Sequence, residues 1–358
     1  MSTNGHTDLL ARTAALVDIA SPSRAEGPLV DQLETELRAH SHLDVTRVGD
    51  NLVARTTLGR LHRVVLAGHT DTVPAADNAN ARVEGGRLFG VGSADMKGGL
   101  AVMLELAATL TEPVVDLTFV FYAREEVASV ESGLGELFEA RPDLLVGDIA
   151  ILGEPTDARI EAGCQGTLRM RLQLHGVRAH TARPWMGRNA VHRLAGVLSA
   201  LDTYQARSPI IDGCQFREAL QAVAIEGGVS GNVVPDAASV TVNFRFAPDR
   251  SSVDAETHVR ELFSPFLEDT DVIEVLDVAN AAPPGLNHPL LASLVERSGS
   301  QVFAKLGWTD VARFAAHGVP AVNFGPGDST IAHTAGEYLD RVPLEHVHTV
   351  LLGLLTEA

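Results

Sequence analysis

Hydrophobic residues recur at strand or helix spacing along most of the 358-residue chain. In the first part, continuous apolar runs at 64–67 and 117–123 alternate with stretches of helical spacing at 97–110 and 132–140. Two further helices are predicted near the N-terminus, within 9–37. Strands that alternate with helices are typical of a mostly parallel α/β sheet.

The pattern changes near residue 168, where apolar and polar residues alternate as they do on a half-buried strand. Helices near 187–202 and 253–263 and strands near 221–226 and 238–246 follow, and the Pro-rich segment 281–285 ends this region. We predict an α/β fold in which a mostly parallel-sheet domain, 1–171 and 282–358, carries an inserted α+β domain, 172–281.

Composition narrows the possible partners. The formal net charge is −18, which makes nucleic acid and anionic membranes poor partners. The only cysteines, Cys164 and Cys214, form no C-x-x-C pair, so neither a disulfide framework nor a thiolate zinc site is expected. The N-terminus lacks the pattern of a secretory signal, and no apolar run is long enough to cross a membrane, so we expect a cytoplasmic protein.

Several ionisable residues follow apolar strands or Gly-rich turns, where α/β proteins build their sites. Each alone has an ordinary explanation, such as a hydrogen-bonded loop histidine, a helix-capping aspartate or a solvated glutamate pair. Together they supply two imidazoles and three carboxylates, a donor set that fits two metal ions with one bridging carboxylate. These candidate ligands are His69, Asp95, Glu126, Glu154 and His333.

Two neighbouring carboxylates add to this set. Asp71 lies two residues after His69, so it can accept the hydrogen bond of the second ring nitrogen. Glu125 precedes Glu126 and faces another direction on an extended chain, which suits a group that moves protons beside a ligand.

These segments, in this order over 69–333, resemble the M20 peptidase family of metal-dependent amidohydrolases. The resemblance implies a zinc-hydrolase catalytic domain interrupted by a smaller lid and dimerisation domain. It also implies two zinc ions per subunit, with cobalt or manganese as possible substitutes. By this resemblance His69 and Glu154 hold one ion, Glu126 and His333 hold the other, and Asp95 bridges them.

The resemblance also implies roles for residues around the metal ions. Asp71 orients His69, and Glu125 is the general base. In the inserted domain, His180 reaches the partner's active site in a homodimer and stabilises the oxyanion. Asn232 and Arg245 hold the substrate.

Within the family, segments such as 160–166, 231–248 and 305–314 resemble the actinobacterial succinyl-diaminopimelate desuccinylases. This implies a small-molecule amide substrate, N-succinyl-LL-2,6-diaminopimelate, in diaminopimelate and lysine biosynthesis. An acetylornithine deacetylase, another N-acyl amino acid amidohydrolase and a catalytically silent binding homologue remain as alternatives. One departure from the family is Arg124, which leaves the charge environment of Glu125 open.

Overall fold

The protein is described by a computed structural model that covers residues 8–357. It divides into two compact units. The first runs to Ala162 and resumes over Pro284–Phe303 and from Arg313 onward, and the second comprises Gly163–Pro283 and Ala304–Ala312. The domain boundaries near 172 and 281 inferred from the sequence stay a prediction.

Strands and helices recur throughout the described part of the chain, with turns and irregular segments between them. In chain order the strands are β1 (Asp44–Val48), β2 (Asn51–Arg55), β3 (Arg63–His69), β4 (Arg82–Glu84), β5 (Arg87–Phe89), β6 (Asp116–Tyr122), β7 (Ile149–Leu152), β8 (Ile160–Ala162), β9 (Gly166–His175), β10 (Ala179–His180), β11 (Ile210–Ile211), β12 (Cys214–Gln215), β13 (Ala219–Gly227), β14 (Val233–Val234), β15 (Ala237–Phe246), β16 (Val272–Ala279), β17 (Val302–Ala304), β18 (Ala321–Asn323) and β19 (Tyr338–Asp340). The helices are α1 (Leu9–Val17), α2 (Gly27–Arg38), α3 (Gly98–Thr109), α4 (Gly133–Ala140), α5 (Ala190–Asp202), α6 (Ser252–Phe263), α7 (Pro289–Ser298), α8 (Val311–Ala316) and α9 (Arg341–Thr356).

An eight-stranded sheet organises the first unit, in the order β1-β2-β6-β3-β7-β18-β8-β17. Its central strands β6, β3, β7 and β18 are parallel, whereas β1, β2 and β8 pair antiparallel. Every residue of β6 and β7 is buried, which explains their continuous apolar sequences, because a central parallel strand is covered on both faces. The predicted α/β class with a mainly parallel central sheet is confirmed.

The carboxyl ends of the central strands lie at one edge of this sheet. The register pairs His69 of β3 with Tyr122 of β6, and Leu152 of β7 with Asn323 of β18. Four of the candidate ligands, His69, Glu126, Glu154 and His333, end or follow these strands, and Asp95 lies in the turn that precedes α3. The parallel topology therefore brings residues that are far apart in sequence to one edge of the sheet.

Helix α3 runs through the interior of the first unit, and its residues from Gly98 to Ala107 are buried. Because it is apolar around most of its circumference, it can pack against both the sheet and other helices. In the described part of the chain, no helix is both long and apolar enough to cross a lipid bilayer.

The second unit contains an antiparallel sheet in the order β13-β15-β9-β16. Along β9 and β15, buried residues alternate with partly exposed ones, as the sequence predicts. The inward residues of both strands pack with helices α5 and α6 into one hydrophobic core that includes Met170, Val242 and Phe263. An antiparallel sheet packed against helices in this way is the α+β arrangement that the sequence predicts.

Candidate metal centre

Two imidazoles and two carboxylates lie close together beside the C-terminal ends of the central strands in the first unit's sheet. His69 ends β3, and its Nε2 donates a hydrogen bond to Oδ1 of Asp95 at 3.0 Å. The Nε2 of His333 lies 3.4 Å from Oδ2 of the same aspartate and 2.8 Å from Oε1 of Glu126. Asp95 thus directs one carboxylate oxygen toward each imidazole.

This arrangement fits divalent metal ions. Ligand atoms of His69, Asp95 and Glu126 all lie within 4.8 Å of one another. Imidazole nitrogen and carboxylate oxygen are the donors that zinc and related ions accept in sites without thiolates. His333 contacts two of these three residues, so it belongs to the same cluster.

The electrostatic field of the cluster favours positive charge. Burial lowers the pKa of His69, but its interactions with Asp71 and Asp95 outweigh this effect and raise the pKa well above its usual value. Hydrogen bonds to Asp95 and Glu126 raise the pKa of His333 to about 10. Burial raises the pKa of Asp95, but the two imidazoles outweigh burial and leave the pKa below its usual value.

Glu154, the remaining predicted ligand, follows β7 and is buried. Its charge contributes to the raised pKa of His69, which places the two side chains in the same electrostatic environment. The approach of α3 to this loop requires a glycine, because a Cβ on Gly99 would lie 2.4 Å from the carbonyl oxygen of Gly153. Glu154 is not among the three residues whose ligand atoms lie within 4.8 Å of one another.

Asp71 contacts His69 and also the glutamate pair. The Nδ1 of His69 donates to the backbone carbonyl of Asp71 at 3.0 Å, and the Asp71 carboxylate is 3.6 Å from the same nitrogen. That carboxylate accepts the backbone N–H groups of Glu125 at 3.0 Å and Glu126 at 3.1 Å, as well as the Ser23 hydroxyl at 2.8 Å. Burial raises its pKa, but His69 and these donors outweigh burial and hold the pKa at about 2.

A second buried carboxylate continues this series of hydrogen bonds. Oε1 of Glu26 accepts the backbone N–H of Arg124 at 3.1 Å, so two carboxylates hold three consecutive N–H groups at 124–126. Arg124 has a left-handed φ of 61°, and its guanidinium pairs with Glu136 at 2.7 Å. The charge of Arg124, which the sequence leaves open, is therefore balanced by Glu136.

A third buried carboxylate holds the segment around Asp95. Oε1 of Glu337 accepts the backbone N–H groups of Ala94 at 2.9 Å and Asp95 at 3.1 Å. Gly92 starts this turn with a φ of 76°, a conformation that favours glycine. The helix that the sequence predicts over 97–110 is α3, which begins at Gly98 after an irregular turn. Asp95 is therefore not its N-cap.

The sequence interpretation missed Glu26, Glu337 and Ser23 as supports of the centre. An acidic residue before a helix or in a Gly-containing loop is usually solvated, so nothing marked these positions. The burial of Glu26 and Glu337, and the distant segments from which all three residues come, are visible only in the fold.

The remaining predicted site residues lie in the second unit. His180 is exposed, its Nδ1 accepts the N–H of Ala182 at 3.0 Å, and β10 pairs it with Val233. Asn232 is the neighbour of Val233, and its backbone carbonyl accepts the N–H of Thr181 at 3.0 Å. His180 and Asn232 therefore lie close together, whereas Arg245 lies on the separate strand β15.

A family model described as peptidase family M20/M25/M40 matches residues 65–357. The chain belongs to this family. It is 54% identical over 350 residues, 97% of each chain, to a protein of Mycobacterium tuberculosis named putative succinyl-diaminopimelate desuccinylase. It is also 46% identical over 358 residues, 98% of this chain and 96% of the relative, to a succinyl-diaminopimelate desuccinylase of Corynebacterium glutamicum.

Solved structures share the fold of this M20 chain. A tripeptidase from Staphylococcus aureus has a TM-score of 0.80 at 22% identity, with 97% of each chain covered. A dinuclear metal-binding M20 peptidase from Bacillus subtilis has a TM-score of 0.72 at 15% identity, with 97% of this chain and 96% of that chain covered. The chain is an M20 hydrolase with a group of residues able to hold a metal ion.

We expect Glu337→Ala to weaken zinc binding by about 10- to 100-fold, the usual cost of losing a group that supports a ligand. The substitution frees the N–H groups that fix the Asp95 segment. Competition between the metal-stripped protein and a chelator would measure the affinity. Glu337→Gln keeps an acceptor oxygen and serves as the matched control. Equal zinc affinity for the alanine variant and the unmodified protein would contradict the role of Glu337.

Proposed function

We propose that this M20 hydrolase is a two-zinc amide hydrolase that removes succinate from N-succinyl-LL-2,6-diaminopimelate, in diaminopimelate and lysine biosynthesis. The substrate follows from the names of the two high-identity relatives. The chemistry rests on one observation: Asp95 presents separate oxygens to two imidazoles, as a carboxylate that bridges two metal ions must. A cytoplasmic location stays a prediction.

In this proposal His69 and Glu154 would hold one metal ion, Glu126 and His333 would hold the second, and Asp95 would be shared between them. The contacts of Asp95 and Glu126 with the imidazoles support four of these positions. The burial of Glu154 and its effect on His69 support the fifth.

Divalent ions held there would supply Lewis acidity and would lower the pKa of a bound water molecule to about 7. Glu125 is the proposed general base: its carboxylate takes a proton from the attacking water and returns it to the nitrogen of the leaving amine. Asp71 fixes the backbone N–H groups of Glu125 and Glu126, so it sets the position of both the base and a ligand. Donation of a hydrogen bond by His180 to the developing oxyanion completes the proposed set.

The proposed substrate contacts lie in the second unit. Arg245 offers a guanidinium that can bind a carboxylate through two parallel hydrogen bonds. Burial and the charge of Arg169 both lower the pKa of Arg245, so a carboxylate bound there would offset both effects. Asn232 offers an amide that can bind the polar backbone of the substrate.

We also propose a homodimer through the second unit. Edge strand β13 is exposed from Gln221 to Gly227, and Val223 and Ile225 are each more than half exposed. A long apolar edge strand is an aggregation hazard unless another chain covers it. A second copy of this chain is the proposed cover.

The proposed activity is tested by incubating the metal-loaded full chain with N-succinyl-LL-2,6-diaminopimelate and, separately, with N-acetylornithine. We expect kcat/KM to be about 100-fold higher for the succinyl compound than for the acetyl compound. When the acetyl compound is bound, polar groups of the site are left without hydrogen-bond partners. Chromatography of released succinate or acetate gives the rates. A preference for the acetyl compound would instead identify a deacetylase, and no hydrolysis of either would indicate a silent homologue.

For Glu125→Gln we expect turnover to fall by about 10²- to 10⁴-fold, the usual contribution of a general base. Metal content should stay at the level of the unmodified protein, because Glu125 is assigned no coordination bond. Elemental analysis and a turnover assay on one sample would check both. Loss of metal from this variant would move Glu125 among the ligands.

Ile225→Lys should convert the dimer to a monomer, because a charge on the exposed edge of β13 opposes pairing with a second copy. Sedimentation velocity would measure the mass. Val272→Lys is the matched control, since Val272 is similarly exposed on β16 at the other edge of the sheet and should leave the dimer intact. A dimer that survives Ile225→Lys would argue against this interface.

A further inference from the structure

Two arginines share the outer face of the second unit's sheet. The register pairs Arg245 of β15 with Thr167 of β9, and Arg169 of β9 with Asn243 of β15. The residues between them along the two strands, Leu168 and Phe244, point into the core. The two arginines are therefore diagonal neighbours on the opposite face, about 7–8 Å apart at the Cα atoms, within reach of long side chains.

Neither arginine is neutralised by a contact with an acidic side chain. Within residues 8–357, the guanidinium groups of Arg169 and Arg245 make no ion pair or hydrogen bond. Arg171, the next residue on the same face of β9, behaves differently, because it pairs with Glu274 at 2.7 Å. Of these three neighbouring arginines, Arg171 is therefore paired with an acidic side chain, whereas Arg169 and Arg245 are not.

Keeping these two cations together is unfavourable without an anion. Arg245 is half-buried, and the cost of burying it and the charge of Arg169 both lower its pKa. Like charges directly opposite each other destabilise a sheet, and the charge of Arg169 acts on its diagonal neighbour Arg245 in the same sense. Asp277 stands opposite Arg169 in the register and acts on Arg245 electrostatically, but it lies beyond 4.0 Å of both guanidinium groups.

The neighbouring groups fit a carboxylate. Asn243 and Thr167 lie beside the two arginines, and the Asn243 amide is 3.5 Å from the Thr167 hydroxyl. Together they offer uncharged hydrogen-bond donors between two guanidinium forks. A guanidinium binds a planar carboxylate through two parallel hydrogen bonds, and a second one adds charge and fixes orientation.

We propose that Arg169 is a specificity-determining residue that, together with Arg245, binds a substrate carboxylate distant from the amide being hydrolysed. This inference rests on the proposed function, which assigns Arg245 to the substrate. It extends that function by making substrates with an additional carboxylate the preferred class. The carboxylate is either that of the succinyl group or one on the diaminopimelate side.

The test compares Arg169→Gln with Arg171→Gln, which removes the same charge from the same face of the same strand. Both variants are assayed as metal-loaded enzyme on N-succinyl- and N-acetyl-LL-2,6-diaminopimelate. We expect Arg169→Gln to raise KM by about 10- to 100-fold, the value of a hydrogen bond between charged groups, with kcat little changed. Arg171→Gln should leave KM within about twofold of the unmodified enzyme.

The two substrates identify which carboxylate is bound. A rise in KM for the succinyl compound alone assigns Arg169 to the acyl carboxylate, and a rise for both assigns it to the diaminopimelate side. A KM for Arg169→Gln equal to that of Arg171→Gln on both compounds would overturn the proposal.

Calorimetry keeps this result separate from the proposed activity. The double variant Arg169→Gln with Glu125→Gln and the single variant Glu125→Gln are titrated with N-succinyl-LL-2,6-diaminopimelate, so binding is measured without turnover. Weaker binding by the double variant supports Arg169 even if the unmodified chain hydrolyses another amide. Equal binding by the two variants counts against Arg169 whatever the reaction is.

Discussion

Carboxylates and imidazoles that are taken out of water at the edge of a sheet lose hydration, and this loss must be balanced by other contacts. In this chain the balance comes from two sources. The cluster pairs its own opposite charges, as the raised pKa of His333 and the lowered pKa of Asp95 reflect. A surrounding set of carboxylates holds the loops in place by accepting backbone N–H groups. The field that retains protons on the imidazoles is the same field that attracts a divalent cation.

The supporting carboxylates join distant parts of the chain. Glu26 precedes α2 near the N-terminus and reaches Arg124, which is 98 residues away. Glu337 precedes β19 and reaches Asp95, which is 242 residues away. The first unit is itself built from segments on both sides of the second. The N-terminal and C-terminal segments of this unit therefore both hydrogen-bond to the loops of the centre. The geometry of the cluster consequently depends on correct assembly of the whole unit.

The sequence predicts the elements of this fold well because their periodicity is strong. The all-buried strands β6 and β7 and the alternating strand β9 follow from hydrophobic pattern alone. The hairpin of β1 and β2 was not predicted, because its strands are short and β1 is only partly buried. The helix after Asp95 begins later than a cap at that position requires, because tertiary contacts from Glu337 hold the turn in a non-helical form.

Four of the candidate ligands were found because they end or follow apolar strands, and strand ends converge in a parallel sheet. Asp95 was found instead from the Gly-rich turn in which it lies. Their supports could not be found in this way. Glu26 and Glu337 differ in no local respect from solvated glutamates, and only long-range packing buries them. The contacts of Asp71 were predicted in part: its proximity to His69 was expected, but its hydrogen bonds to the backbone of Glu125 and Glu126 depend on how β3 and β6 pair.

A chain with a formal charge of −18 repels, at long range, a substrate that carries several carboxylates. At physiological ionic strength this repulsion is screened beyond about 8 Å, so charges close to the substrate decide whether it binds. Most arginines around the second unit's sheet are already paired, as Arg171 is with Glu274 and Arg178 is with Asp236. An arginine that is already paired with an acidic side chain attracts an anion only weakly, because the partner's negative charge cancels most of its field. Local attraction must come from cations without such partners, and on this sheet face Arg169 and Arg245 are in that condition.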